Sequence, residues 1–220
     1  TGEVTYFTPL VGKKSYGSHD KGEPAISCCS SSVPRGVAMT PLFVSGLLHG
    51  NPTLLQYVAG THVLADYLSL VVCCDYPLSG QIEVTVLVDV KQSFQLVFRV
   101  PTWATGFTAS VAGVTYKGEG ERWLNIERDW ISGDKVTIHI PLEFRLIEDG
   151  DETTNSFAFA RGPEILATDT SIDKTNGLPD SKWWGDTVHV CEALKNGETK
   201  QFRLVNFADA GQNKEPYCVL

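Results

Sequence analysis

The residues best suited to chemistry are two adjacent thiols, Cys28-Cys29. A thiolate is the nucleophilic form of cysteine and a soft metal ligand. Taken alone, such a pair reads more plainly as two buried thiols packing as small hydrophobes. A second pair, Cys73-Cys74, sits inside an apolar run and reads as packing. Six cysteines form an even set, but neighbours in sequence strain the geometry a disulfide prefers, so the thiols read as mostly reduced. The carboxylates Glu119, Glu121, Glu127 and Asp129 flank turns and read as solvated surface. The acidic run from Glu148 to Glu152 lacks the spacing of an EF-hand loop. His19, His49, His62, His139 and His189 share no metal-binding spacing. Trp183-Trp184 lies in a polar stretch, where an indole offers an apolar plate to a sugar face or plugs the edge of a sheet. These two are the candidates for sugar contact.

The elements that must position these groups are mostly strands. From Ser93 to Leu146 the sequence predicts consecutive antiparallel strands: Phe94–Val100, Phe107–Ala112, Trp123–Glu127, Lys135–Pro141 and Glu143–Leu146. Pro101, Gly106, Gly113, Gly118, Gly120 and Gly133 stand between them, each supplying a turn or removing a ladder donor. Val136, Ile138 and Ile140 alternate with polar residues, the period-two pattern of a half-buried strand. Upstream, strands are predicted over Val4–Phe7, Leu54–Val58, Thr61–Ala65, Leu68–Cys74 and Gln81–Val90, with a turn at Pro77–Gly80. Downstream they are predicted over Phe157–Ala160, Glu164–Thr168, Val188–Ala193 and Gln201–Phe207. One short helix is predicted, starting near Ser31–Pro34, with Val37, Thr40, Pro41, Val44, Leu47 and Leu48 on one face and a break at Gly50-Asn51-Pro52. The expected fold is therefore all-β: an antiparallel β-sandwich, or two stacked ones, with one short helix near the N-terminus.

Composition narrows the function. A chain of 220 residues with 42% hydrophobic and 20% charged residues reads as a soluble globular protein. No apolar run approaches the roughly 20 residues of a membrane-spanning helix. The net charge of -8 and the scattering of the 18 basic residues speak against a nucleic-acid partner. Met39 is the single methionine, so the sequence reads as a processed or shortened form of a longer polypeptide.

Five segments, in order, resemble the glycoside hydrolase family 127 group, the β-L-arabinofuranosidase type. They are Tyr6-Phe7-Thr8-Pro9-Leu10; Cys28-Cys29; Phe98-Arg99-Val100-Pro101-Thr102-Trp103-Ala104 leading into Ser110-Val111-Ala112-Gly113; Ile126-Glu127-Arg128-Asp129-Trp130 followed by Gly133-Asp134-Lys135-Val136; and Ala160-Arg161-Gly162-Pro163-Glu164-Ile165-Leu166-Ala167. The resemblance implies a large (α/α) barrel followed by β-sandwich modules. Residues 1–50 would be the tail of that barrel, 51–170 a β-sandwich, and 171–220 strands completing or extending it. A barrel of about twelve helices of average length needs roughly 140 helical residues, so it falls outside this sequence.

The resemblance also implies a site. Cys28 would be the nucleophile at the anomeric carbon, Cys28 and Cys29 would hold zinc, and Tyr6 would lie near the sugar. The family's other zinc ligands come from an upstream Glu-x-Cys segment, which this sequence does not contain, and its acid/base carboxylate belongs to the barrel. The chain alone is thus expected to be inactive, with carbohydrate and the absent barrel as its partners. Zinc is expected in the complete protein and not in this piece. The competing expectation is a non-catalytic carbohydrate-binding sandwich that uses Trp183 and Trp184.

Overall fold

The computed structural model describes residues 8–13, 28–118, 122–148, 157–169, 189–195, 198–211 and 216–219. In chain order the elements are β1 (Val11–Gly12), α1 (Cys28–Met39), a 3-10 turn (Thr40–Phe43), β2 (Ser45–Leu48), β3 (Asn51–Leu54), β4 (Gly60–Ala65), β5 (Leu68–Cys74), β6 (Gln81–Val88), β7 (Gln92–Arg99) and β8 (Thr108–Val111). They continue with β9 (Val114–Lys117), β10 (Trp123–Trp130), β11 (Lys135–His139), β12 (Phe144–Glu148), β13 (Phe157–Arg161), β14 (Glu164–Asp169), β15 (His189–Lys195), β16 (Glu198–Asn206) and β17 (Tyr217–Cys218). The chain divides into two compact units, Gly36–Glu143 and a second made of Thr1–Arg35 with Phe144–Leu220. The all-β class and its single short α-helix among the described residues agree with the sequence pattern.

The Gly36–Glu143 unit is a sandwich. One sheet has the order β4-β5-β6-β11-β8-β9 and the other β10-β7-β3-β2. Their inner faces share one core. Leu70, Ile82, Val84, Val86, Val136 and Ile138 come from the first sheet, and Leu54, Leu96, Phe98, Ile126 and Trp130 from the second. The alternation seen in the sequence is what builds this. Ile82, Val84, Val86 and Val88 of β6 are buried, while Gln81 and Leu87 are exposed. Gly80 closes one end: its carbonyl accepts from the Ile140 N–H at 2.9 Å, and a Cβ there would lie 1.9 Å from the Ile140 carbonyl oxygen.

The strands from Ser93 to Leu146 follow one another in the sequence but are divided among the sheets. β7 pairs with β10 over eight residues, from Trp123↔Arg99 to Trp130↔Gln92, and β10 runs three residues beyond the predicted end at Glu127. β8, β9 and β11 belong to the opposite sheet. The cause is local. Pro101 has no N–H to extend β7, and the turn that follows carries the chain across the sandwich before β8 begins. Alternation specifies which side of a strand is buried, but both sheets bury the same kind of side.

The predicted helix is also shorter at its C-terminal end. α1 starts at Cys28 and gives way at Thr40, where Pro41 cannot serve as an interior donor. Val44, Leu47 and Leu48 leave the helix; Leu47 and Leu48 form β2 instead. β2 turns at His49-Gly50, both at positive φ, into β3. Asn51 and Pro52, read as a break, are therefore the first residues of an inner strand, and the strand predicted over Leu54–Val58 ends at Leu54. β9 was not predicted; it follows a tight Ala112-Gly113 turn with φ values of 50° and 80°.

The second unit carries a seven-stranded sheet in the order β1-β17-β14-β13-β12, with β16 pairing to β14 and β15 to β16. Ala167, Val205, Ala210 and Tyr217 form a small buried cluster, with Phe207 and Val219 packed on it. The Tyr217 hydroxyl donates to the Pro9 carbonyl at 2.5 Å, fastening the described N-terminal segment beside β17. The strand predicted over Val4–Phe7 lies outside the described residues.

Candidate functional site

Cys28 and Cys29 are the first two residues of α1. The opening turn of a helix presents backbone N–H groups with no partner inside the helix, and its dipole favours a negative group there, including a thiolate. No acidic residue occupies that turn. From Ser31 to Thr40 every residue is exposed, including Val33, Val37 and Met39, and Leu42 and Phe43 follow at 70% and 61% exposure. An isolated helix of twelve residues is marginal in water.

The remaining sequence candidates are dispersed. Tyr6, Trp183 and Trp184 lie outside the described residues. Cys73 and Cys74 do not both pack inward. Adjacent positions on β5 face opposite sides, so Cys73 is exposed, whereas the Cys74 thiol donates to the Tyr57 carbonyl at 3.6 Å. The Tyr57 hydroxyl in turn donates to the Arg99 carbonyl at 2.5 Å, and burial pushes its pKa well above the usual tyrosine range. Asp129 sits on the outer surface beside Lys91 at 2.9 Å, which holds its carboxyl below the ordinary range, so it is a solvated ion pair. Glu127 is exposed on the same strand. Glu119 and Glu121 lie outside the described residues, as does the acidic run beyond Glu148. His139 is exposed and bonds to the Gln81 amide nitrogen at 2.7 Å, and His62 Nε2 bonds to the Val58 carbonyl at 2.9 Å. Among the described residues no group of three His, Cys, Asp or Glu side chains is arranged to hold a metal. Trp103 packs partly against the core, and Trp130 is fully buried with its Nε1–H donating to the Phe94 carbonyl at 3.0 Å.

One polar cluster was not anticipated. Glu164 opens β14 beside the Arg161-Gly162-Pro163 turn, and Asn206 closes β16. Asn206 Nδ2 donates to Glu164 Oε1 at 2.7 Å, and Arg161 Nη1 lies 3.9 Å from Glu164 Oε2. Arg145 Nη2 from β12 donates to the Gly162 carbonyl at 2.8 Å. Burial raises the Glu164 pKa, with Asp209 adding to the rise, while Arg161 and the Asn206 bond oppose it. A charged residue heading the apolar run Ile165-Leu166-Ala167 was the available signal in the sequence.

With this geometry in place, comparison with known proteins gives the likeness of the sandwich. Residues 54–142 match the sequence model of the β-L-arabinofuranosidase GH127 middle domain. No curated protein matches the chain in sequence. Among solved structures, a GH127 β-L-arabinofuranosidase from Geobacillus stearothermophilus T6 superposes with a TM-score of 0.70 at 18% identity, covering 99% of this chain and 42% of its own. A protein described as a glycoside hydrolase gives a TM-score of 0.72 at 20% identity, covering 99% and 44%. A GH127 β-arabinofuranosidase gives 0.72 at 17% identity, covering 99% and 42%. The chain thus spans less than half the length of these structures, and at such identities the likeness is one of fold. The matched span lies within the Gly36–Glu143 sandwich, and the chain is GH127-like there: that sandwich is similar to the family's middle domain.

Proposed function

We propose that this chain is the β-rich portion of a retaining glycoside hydrolase acting on L-arabinofuranosides or related plant glycans. The observation that supports it most is the match of residues 54–142 to the GH127 middle domain. The sandwich then serves as a scaffold for a helical barrel that the complete protein would add, and the exposed apolar side chains of α1 and the 3-10 turn are surface for such a domain to cover. In this reading Cys28 attacks the anomeric carbon as a thiolate and expels the aglycone. Water then cleaves the glycosyl-cysteine, and the two displacements together retain the configuration.

Cys28 and Cys29 supply at most two of the four donors that a tetrahedral zinc site takes. Zinc, implied by the family resemblance, would take its remaining ligands from the rest of the complete protein. Tyr6, Trp183 and Trp184 remain the proposed sugar contacts.

The 220-residue chain is expected to leave a synthetic arabinofuranoside intact. A longer protein that joins it to a helical barrel is expected to hydrolyse the substrate and to lose that activity on Cys28→Ala. Hydrolysis by the chain alone at the rate of the longer protein, or full activity of the Cys28→Ala protein, would overturn the proposal.

A further inference from the structure

The Glu164–Asn206 pair is incomplete in a specific way. The carboxylate and the carboxamide are planar groups joined by one bond, Nδ2 to Oε1, at 2.7 Å. The second oxygen of each group, Glu164 Oε2 and Asn206 Oδ1, is buried without a hydrogen-bond partner. Both are acceptors when the carboxyl is ionised, so neither can satisfy the other. Each unmet acceptor carries the desolvation cost of a buried polar atom. Asn206 is only 7% exposed, which leaves little access for bulk water. A single proton on Oε2 converts one of the two acceptors into a donor.

We propose that Glu164 and Asn206 form a proton-operated clasp: protonated Oε2 donates to Asn206 Oδ1, closing a two-bond acid–amide ring that fastens the Arg161–Glu164 turn to the end of β16. The backbone already brings the two residues together, because Leu166 pairs with Asn206 and the Phe207 N–H donates to the Ile165 carbonyl at 2.8 Å. Among the described residues, the charged groups around the pair are Arg161 on β13, Arg145 on β12 and Asp209 just after β16. Arg161 favours the ionised carboxylate, while Asp209 and burial favour the proton. The Glu164 pKa is raised on balance, so the sign follows. The clasp contributes stability that is fully present below the ordinary carboxylate range and is lost as pH rises through the raised value.

Thermal melts of the full 220-residue chain test this at about pH 4 and about pH 7. Glu164→Gln imitates the protonated acid, because its amide accepts at Oε1 and donates from Nε2. The variant is expected to match the natural chain at the lower pH and to melt roughly 2–4 °C above it at the higher one. A Glu164→Gln chain that melts below the natural chain by the same margin at both values overturns the clasp. A carboxyl carbon NMR titration of the natural chain decides the matter if that variant fails to fold. A Glu164 midpoint above the ordinary glutamate value supports the proposal, and one at or below it overturns it.

Discussion

The two units handle buried polarity in opposite ways. Among the described residues of the Gly36–Glu143 sandwich the interior is apolar, and the buried polar side chain found there, Thr53, donates to the Asn51 carbonyl at 2.9 Å. In the unit made of Thr1–Arg35 and Phe144–Leu220, the buried polar residue Asn206 leaves its Oδ1 unmet beside a carboxylate. In the first arrangement packing and hydrogen bonding point the same way. The second has a free-energy cost that one proton can remove, so its stability depends on solution conditions. A sandwich with two facing sheets can satisfy its backbone by ladders alone and fill its interior with side chains that make no polar demands.

Three substitutions sharpen or break that contrast. The largest effect is expected at Trp130, which is fully buried, stacks on Phe94 at a 5.8 Å centroid separation and donates to the Phe94 carbonyl. Trp130→Ala is expected to cost about 3–5 kcal/mol in urea unfolding. A loss under about 1 kcal/mol would mean the sandwich has no single close-packed core. In the other unit, Tyr217→Phe removes the bond to the Pro9 carbonyl and is expected to cost about 0.5–1.5 kcal/mol. Faster hydrogen exchange in the segment beside β17 should accompany it, and unchanged exchange there would show that the hydroxyl does not fasten the N-terminal strand. The smallest effect belongs to Lys135→Ala. Its ammonium meets Glu83 at 2.8 Å on the outer sheet face, but both side chains are about half exposed, at 59% and 45%. The expected cost is at most about 1 kcal/mol and should fade as salt is added. A loss comparable to that of Trp130→Ala would contradict the claim that the interior dominates this unit.

Much of the sandwich is legible in the sequence, for a physical reason. Period-two alternation over Gln81–Val88 and Lys135–Ile140 encodes which side chains meet the core, and the described burial follows it. What alternation does not encode is partnership. β8 follows β7 in the sequence, yet β7 pairs with β10, across the crossover after Pro101, through eight long-range residue pairs. Short elements depart from the sequence pattern where a single residue has two uses. Pro52 is a break in most contexts but is accommodated in β3 opposite Leu47. Leu47 and Leu48 fit a helical face until Pro41 ends the helix and the His49-Gly50 turn pairs them with β3. The proposed site was legible only as residue types. Cys28-Cys29 stands at the head of α1, a placement that one helix-start signal near Ser31 located to within a turn. The Glu164–Asn206 pair spans 42 positions in sequence, and no local pattern links an Arg-Gly-Pro-Glu turn to an asparagine so far away.

The parallel pairing of β3 with β7 has a practical consequence. It places Thr53 against Val97 and Leu54 against Phe98, which makes β3 the lining between β7 and β2. The span recognised by the family model begins at Leu54, so a piece trimmed to those limits would discard β2 and nearly all of β3. β7 would then be left with bare amide and carbonyl groups along one side, an open template for a neighbouring molecule. Excision should instead start no later than Gly36, where the compact unit itself begins.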